Sequence, residues 1–431
     1  MTASTLHPSR RMALHVMAGA AGVVAAPRIV RAQTVEITAH YSMPAIFKLA
    51  QEAVAEEFNR RQTAVRVVYS NPTPSYEDGA QLILRGAATG QLPDISFQGL
   101  NRLRIFAERG LAVDLRPFLA ELGDLRALGY TEQLLNLGRA NGIQAGMAWA
   151  TSNPISYYNV DLLRRAGLDA DRFPTNWDEV IRWSAQVKRL GGVEGMFFRW
   201  PGDDWMFSAL VFGFGGRMLN ADETDVGFAG PEGLNALRLL DRFVREGGMP
   251  NYAGTADLQA FAAGRLGMMF RTTAQVVGVR ESVGRNFELR TARLPIIDPV
   301  NGRLPTGGAG GMIVTRDPAR QRAAFAFLRF CTSVEGTTIM VRNTGYVPTN
   351  QLALDEPRHL ASFYAENPLF RPATEQMPLM IPWTPFPGAN SVRITETIVN
   401  NLARIVESRA TPEEVQRDMA NEVRRLLRAR A

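Results

Sequence analysis

Two α/β lobes, each a mainly parallel sheet flanked by helices, are what this sequence predicts, on three observations. A length of 431 residues exceeds the size at which a single hydrophobic core keeps growing. Strand-like and helix-like periodicities alternate from Val35 onward, the pattern of β-α-β units. A short polar stretch, Thr151-Ser152-Asn153-Pro154, then interrupts the alternation, which resumes beyond it as a second lobe.

Along the first lobe VEITAHYS reads as a strand, Ala45 to Arg61 as an amphipathic helix, AVRVVYS as a strand and Tyr76 to Ala88 as a helix. Pro93 to Phe97 is a short strand, and Leu103 to Arg109 a helix that Gly110 caps. After the polar stretch, Ile155-Ser156-Tyr157-Tyr158 has strand propensity. Asn159 starts a helix over Val160 to Ala166 that ends at Gly167. Thr175, with Asp178 three residues on, resembles a capping box for a helix over Asn176 to Leu190, closed by Gly191-Gly192. FAGPEGLNALRLLDRFVREGG is a capped helix, and LQAFAAGRLGMMFRTTAQVVGVRE runs helix, turn, apolar strand, polar turn, helix. TGGAGGMIVT reads as a Gly-rich turn into a strand, DPARQRAAFAFLRFCTS as an amphipathic helix and NTGYVPTN as a turn. The tail from Ser391 is helical, with Thr411-Pro412-Glu413-Glu414 opening the last helix.

Composition removes several function classes. Residues 1–33 carry Arg10-Arg11, a weakly apolar run from Met12 to Ala26 and small residues near Arg31-Ala32-Gln33, the order of an export signal, here of twin-arginine type. The apolar run is short of the ~20 residues that a membrane span needs. That segment holds Arg10, Arg11, Arg28 and Arg31 and no acid, so the formal +6 falls to 6 − 4 = +2 beyond it. The remaining arginines lie beside acids on helical faces, which argues against nucleic acid. Cys331 is the only cysteine, so neither an intrachain disulfide nor a cysteine metal site can form. Beyond the leader only His40 and His359 remain, without partners at ligand spacing. No cofactor or metal is expected.

The residues with chemistry to offer are few. Trp200 and Trp205 flank Pro201-Gly202-Asp203-Asp204, and an indole face stacks on the C–H face of a sugar while a carboxylate accepts hydroxyl protons. A core role serves either Trp equally well. Thr272 ends an apolar strand, and Gly308 belongs to a glycine run where a ligand can approach backbone N–H groups or where the chain simply turns. Ser152 lies in the polar stretch, which turn chemistry alone would also select. Tyr76, Tyr346 and Arg393 complete the candidates.

In order along the chain, SNPISYYNVDLLRRAGLD with PTNWDEVI, RWPGDDW, GRLGMMFRTT, GGAGGMIV, NTGYVPTN and FYAENPLFRPATEQM together resemble the extracellular solute-binding proteins that feed bacterial ABC importers, most of all the glycerol-3-phosphate-binding members. The resemblance implies the two-lobed periplasmic-binding-protein fold of type II, with lobes of residues 34–148 plus 303–350 and 149–302 plus 351–431 joined by hinge crossovers. It implies a periplasmic monomer that closes over a sugar, polyol or glycerol phosphate and hands it to membrane permease subunits, without catalysis. Tyr76, Ser152, Trp200, Thr272, Gly308 and Tyr346 carry over as ligand contacts, with Asp203 and Trp205 in the same loop as Trp200. The chain departs where glycerol-phosphate binders place an acid after the third strand: it has Gln98-Gly99-Leu100-Asn101, making Asn101 the candidate there. Their phosphate-binding Arg falls on Thr395, with Arg393 nearby, and WPGDDW is longer and more acidic than their loop. The slight preference is for an anionic ligand held by Arg393, with a neutral oligosaccharide or polyol as the alternative. A carbohydrate-active enzyme using Asp203 or Asp204 is the rival class, and a chemosensory module shares the fold.

Overall fold

The computed structural model describes Met1 and residues 34–428, so the expected export signal lies outside the described residues. Among the described residues twelve strands run in chain order: β1 Val35–Tyr41, β2 Val65–Tyr69, β3 Ile95–Gly99, β4 Arg139–Ala140, β5 Ile143–Gln144, β6 Met147–Ser152, β7 Pro154–Asn159, β8 Glu194–Phe198, β9 Leu266–Thr272, β10 Leu289–Arg293, β11 Leu304–Ile313 and β12 Met380–Pro382. Apart from the small β4-β5 hairpin they form two sheets. The first has the order β12-β11-β3-β1-β2, with β6 also paired to β11; the second is β10-β7-β9-β8.

Parallel pairing joins β1 to β2 and β3, and β8 to β9. The sheets are mixed rather than mainly parallel: β11 opposes β3 and β6, and β7 opposes β9 and β10. The physical reason is direction of travel. A strand reached by crossing from the other lobe starts at the facing edge and runs away from it, whereas strands such as β3, β8 and β9 run toward it.

Local sequence explains the helices. Pro44–Arg61 follows Met43 in the left-handed region at φ 60°, and Tyr76–Thr89 is capped by Ser75, whose side chain accepts from the Asp78 N–H. The capping residue of Trp177–Lys188 is Asn176, accepting from the Glu179 N–H, not Thr175. Asn holds the N-cap position at least as well as Thr, so the helix begins one residue later. The last helix opens at Thr411 as expected, and there a capping box forms, with Glu414 accepting from the Thr411 N–H at 2.9 Å and the Glu414 N–H reaching the Thr411 hydroxyl at 3.3 Å.

The glycine run is not a turn. TGGAGGMI lies wholly within β11, buried throughout. Its glycines are needed where neighbours press: a Cβ at Gly308, φ 120°, would fall 1.9 Å from the Ala150 carbonyl oxygen, and one at Gly311 would meet Leu328 at 2.4 Å. Each lobe centres on an indole. Trp149 packs between Phe47 and Phe97, and Trp177 among Phe198, Phe243 and Phe270. The C-terminal helices Ser391–Val406 and Pro412–Arg428 pack together and against Pro231–Arg245.

The pairing also fixes where the chain crosses. β6 stays in the first sheet through Ser152, so the first crossing is Asn153 rather than residues 148–149. Residues 380–382, expected in the second lobe, return to pair with β11.

Candidate ligand-binding cleft

Strand direction assembles the site. Ser152 pairs with Gly307 and Gly99 with Ala309, so the ends of β3 and β6 lie at one edge of the first sheet. Pro154 pairs with Thr272 and Phe198 with Phe270, which puts the ends of β8 and β9 beside the start of β7. A single residue, Asn153, joins those two edges. Loops that leave such strand ends line the crevice where α/β proteins bind ligands.

From the first edge, Gly99 leads into the 3-10 turn Leu100–Arg102. Gly99 is required by crowding: a Cβ there would lie 2.9 Å from both the Asn101 Oδ1 and the Tyr76 ring. Tyr76, Asn101 and Arg102 are thus brought together. Arg102 is 4% exposed; its Nη2 donates to Glu77 at 2.7 Å. Tyr346 stacks on Phe47 with centroids 5.1 Å apart. Its hydroxyl lies beside that of Tyr76, whose pKa burial first and Tyr346 second hold well above 10.

From the second edge, β8 runs into Arg199 to Asp204 and the wholly buried helix Trp205–Gly213. Asp203 pairs with Arg199 at 3.1 Å and accepts from the Trp205 N–H at 3.0 Å, which braces the loop. Asp204 is 1% exposed and accepts from the Trp383 indole N–H at 3.3 Å. Burial, and then the Asp203 charge, raise its pKa to about 7, against a lowering pull from Arg102. The Trp205 ring covers Gly307, whose Cβ would sit 3.1 Å from the indole and 2.8 Å from the Ser152 Oγ. Ser152 and Trp205 therefore meet over the first sheet.

What distinguishes this region is unmet hydrogen-bonding capacity. Buried and without a hydrogen-bond partner are Asn101 Oδ1, Arg102 Nε, Asp204 Oδ2 and the indole N–H groups of Trp200 and Trp205. Leaving a buried polar group unsatisfied costs ~1–3 kcal/mol each. Unpartnered buried atoms also occur elsewhere, among them Trp149 Nε1, Arg271 Nε and the Tyr364 hydroxyl, and those named here have in common that they follow the facing strand ends.

Other candidates have different surroundings. Thr272 caps the turn Thr273–Gln275, and its carbonyl accepts from the Tyr157 hydroxyl at 2.8 Å. Gly308 has a packing reason for being glycine, its contact with Ala150. Arg393 is exposed on Ser391–Val406, the helix that packs against Pro412–Arg428 and Pro231–Arg245, and the structure does not gather it with the unpartnered groups. Arg102 and Trp383 were not among the candidates, and Asp204 entered only alongside Asp203 as a carboxylate of the Trp loop. The signal for Trp383 is its setting, IPWTPFPG, where prolines deny the indole a helix or central strand.

Beside the cleft, the crossing is pinned by buried amides. Asn153 donates to the Ala373 carbonyl at 2.8 Å. Gln376 donates to Asn153 Oδ1 at 3.2 Å and to the Pro154 carbonyl at 3.0 Å, and accepts from the Leu294 N–H at 2.7 Å. It thereby ties the first crossing to the segment that follows β10. Thr273 adds a bond from its N–H to the Asn153 carbonyl at 3.0 Å and from its hydroxyl to the Gly345 carbonyl at 2.8 Å.

This architecture has close counterparts among known proteins. A profile of the bacterial extracellular solute-binding protein family matches residues 53–372. A binding protein of Brucella abortus (strain 2308) is 26% identical over 279 residues, 63% of this chain and 66% of that relative, so the chain spans about two thirds of its length. The sn-glycerol-3-phosphate-binding periplasmic protein of Escherichia coli (strain K12) is 24% identical over 327 residues, 72% of this chain and 71% of that one. Among solved structures, UgpB from Mycobacterium tuberculosis in complex with glycerophosphocholine superposes with a TM-score of 0.82 at 23% identity, covering 92% of this chain and 99% of that one. The cyclic alpha-maltosyl-1,6-maltose binding protein of Arthrobacter globiformis gives 0.79 at 23% identity with the same coverage. At such identities the structures establish the fold, that of type II periplasmic binding proteins. With the family profile covering most of its length, the chain belongs to the bacterial extracellular solute-binding proteins.

Proposed function

We propose that this protein is the periplasmic, non-catalytic receptor of an ABC importer, and that it captures a solute of the sugar, polyol or glycerophosphodiester class between its lobes. The observation that carries this reading is the set of buried, unpartnered donors and acceptors from both sheet edges, interleaved with Trp200 and Trp205. Indole faces cover C–H surfaces of a polyol, while the mixed donors and acceptors suit hydroxyls, which both give and receive hydrogen bonds. The names of relatives point the same way: a glycerol-3-phosphate binder, a glycerophosphocholine complex and a maltosyl-maltose binder.

The site offers little to a hydrolytic mechanism. Asp203 is occupied by Arg199 and the Trp205 N–H, and its neighbour Asp204 is bonded to Trp383. Paired carboxylates at glycosidase spacing with a free approach between them are not what this loop builds. The Arg10-Arg11 leader supports delivery to the periplasm, and the permease subunits of the importer are the proposed partners of a monomeric receptor.

A thermal-shift screen of maltose, maltotriose, glycerol, sn-glycerol-3-phosphate and glycerophosphocholine tests the reading. A ligand at ~100 times its dissociation constant adds about 2.7 kcal/mol of stability, a clear rise in melting temperature. Absence of any shift across these classes would reject it, and so would turnover of a glycoside or phosphodiester.

A further inference from the structure

We propose that Arg102 and Asp204, one from each sheet edge, form a clamp for the hydroxyl groups of an uncharged ligand and select it over phosphate-bearing ones. The proposal rests on the reading of this cleft as the solute site. Arg102 commits Nη2 to Glu77 and leaves Nε buried without a partner. Asp204 commits one carboxylate oxygen to Trp383 and leaves Oδ2 buried without a partner. One unused atom is a donor and the other an acceptor. Residues 383–385 bring the two sides together: the Trp383 indole N–H reaches Asp204 at 3.3 Å, and the Pro385 carbonyl accepts from Arg104, two residues past Arg102, at 3.4 Å. A sugar or polyol hydroxyl accepts from Arg102 Nε while the same or an adjacent hydroxyl donates to Asp204 Oδ2, which links the lobes through the ligand. Asn101 Oδ1 and the Trp205 N–H are placed to serve further hydroxyls.

Charge bookkeeping supports an uncharged occupant. Arg102 is neutralised by Glu77 at 2.7 Å and Arg199 by Asp203 at 3.1 Å, which leaves Asp204 without a basic partner in hydrogen-bond contact. Above about pH 7, where Asp204 carries its charge, a phosphate beside Asp203 and Asp204 meets repulsion that no uncommitted cation among these residues offsets. Arg393, the side chain expected to hold an anion, is exposed on a C-terminal helix. A hydroxyl-rich neutral ligand carries no such cost and makes use of the acidic loop.

The test is calorimetry with the neutral sugars of the panel, sn-glycerol-3-phosphate and glycerophosphocholine, on the wild type and on Asp204→Asn, Arg102→Lys and Trp205→Ala. The wild type is expected to bind a neutral sugar at least about tenfold more tightly than either phosphate compound. Asp204→Asn keeps the volume but loses a carboxylate acceptor, so it should weaken sugar binding about tenfold and narrow the sugar-to-phosphate ratio by a similar factor. Arg102→Lys keeps a cation for Glu77 yet lacks Nε, and should also weaken the sugar. Tighter binding of a phosphate compound, no binding of any neutral probe, or an unchanged selectivity ratio in Asp204→Asn overturns the clamp. If Trp205→Ala weakens binding while Asp204→Asn does not, the clamp fails and the cleft stands. If neither substitution changes affinity, both readings fail.

Discussion

Asp204 shows how a ligand site is stabilised against its own fold. Its carboxyl is buried with one oxygen bonded to Trp383 and the other unpartnered, and burial followed by the Asp203 charge raises its pKa from 3.8 to about 7. A carboxyl whose folded pKa lies above its unfolded value contributes stability that is fully present below the unfolded pKa and is lost as pH rises through the folded one. Between about pH 4 and pH 7 the unliganded protein is therefore progressively destabilised by this group, by on the order of 4 kcal/mol at the alkaline end. Asp204→Asn should gain stability over the wild type at about pH 8 and much less at about pH 4.5, measured by urea unfolding. An equal difference at both values would show that the carboxyl is not buried as described. His40 acts with the opposite sign, since burial lowers its pKa from 6.5 to about 4 while its ring bonds Ser96 and Thr73. Its contribution is full above 6.5 and is lost as pH falls toward 4, and it cancels in the comparison of variant with wild type. At this scale the sequence was partly legible. Paired tryptophans around a turn are conspicuous, and both are buried with unpartnered indole N–H groups; an arginine in an arginine-rich chain carries no mark, and Arg102 becomes conspicuous only once folding strands its Nε.

Elements were read well wherever local chemistry decides them. Ser75, Asn159 and Thr411 all accept bonds from the first turn of their helices, interactions that span three residues and need no tertiary context. The glycine run was misread for the opposite reason. TGGAGG has turn chemistry by composition, and only the approach of the Ala150 carbonyl and Leu328 shows that these are strand positions with no room for a side chain. The crossing was legible as polar and proline-bearing, but its fastening was not, because Gln376 lies more than two hundred residues from Asn153. Gln376→Leu would strand the Leu294 N–H and leave the Pro154 carbonyl and Asn153 Oδ1 without their donor. The expected cost is on the order of 3 kcal/mol in thermal or urea unfolding, more than an isosteric loss at the surface. Gln376→Glu should recover part of it by keeping an acceptor for Leu294. A cost below about 0.5 kcal/mol for the Leu variant would mean that the amide hub does not fasten the crossings.

Over the whole molecule, the two lobes are in contact away from the cleft as well as across it. Arg104, on the helix that follows Arg102, pairs with Glu223 at 2.6 Å, and its guanidinium also reaches the Pro385 carbonyl at 3.4 Å. Glu223 belongs to a loop of the other lobe, anchored by Arg424 bonding Asp225 at 2.6 Å and by the Leu219–Val226 bridge. Because this pair joins the lobes, separating them would break it, and any opening motion would then be biased by it without contact to the ligand. Glu223 is 43% exposed and Arg104 20%, so screening limits the pair to ~0.2–1 kcal/mol. That range corresponds to at most about a fivefold change in the closed fraction, and an affinity that depends on closure falls by the same factor. Glu223→Gln is therefore expected to weaken the best-bound sugar by up to about fivefold, mainly through faster dissociation, and to enlarge the radius of gyration of the unliganded protein in small-angle scattering. The difference from wild type should shrink in ~1 M salt, where the Debye length falls to about 3 Å. A loss of affinity that persists undiminished in high salt would assign the effect to loop packing, and no loss at all would mean that ligand contacts alone, such as those of Arg102 and Asp204, hold the lobes together.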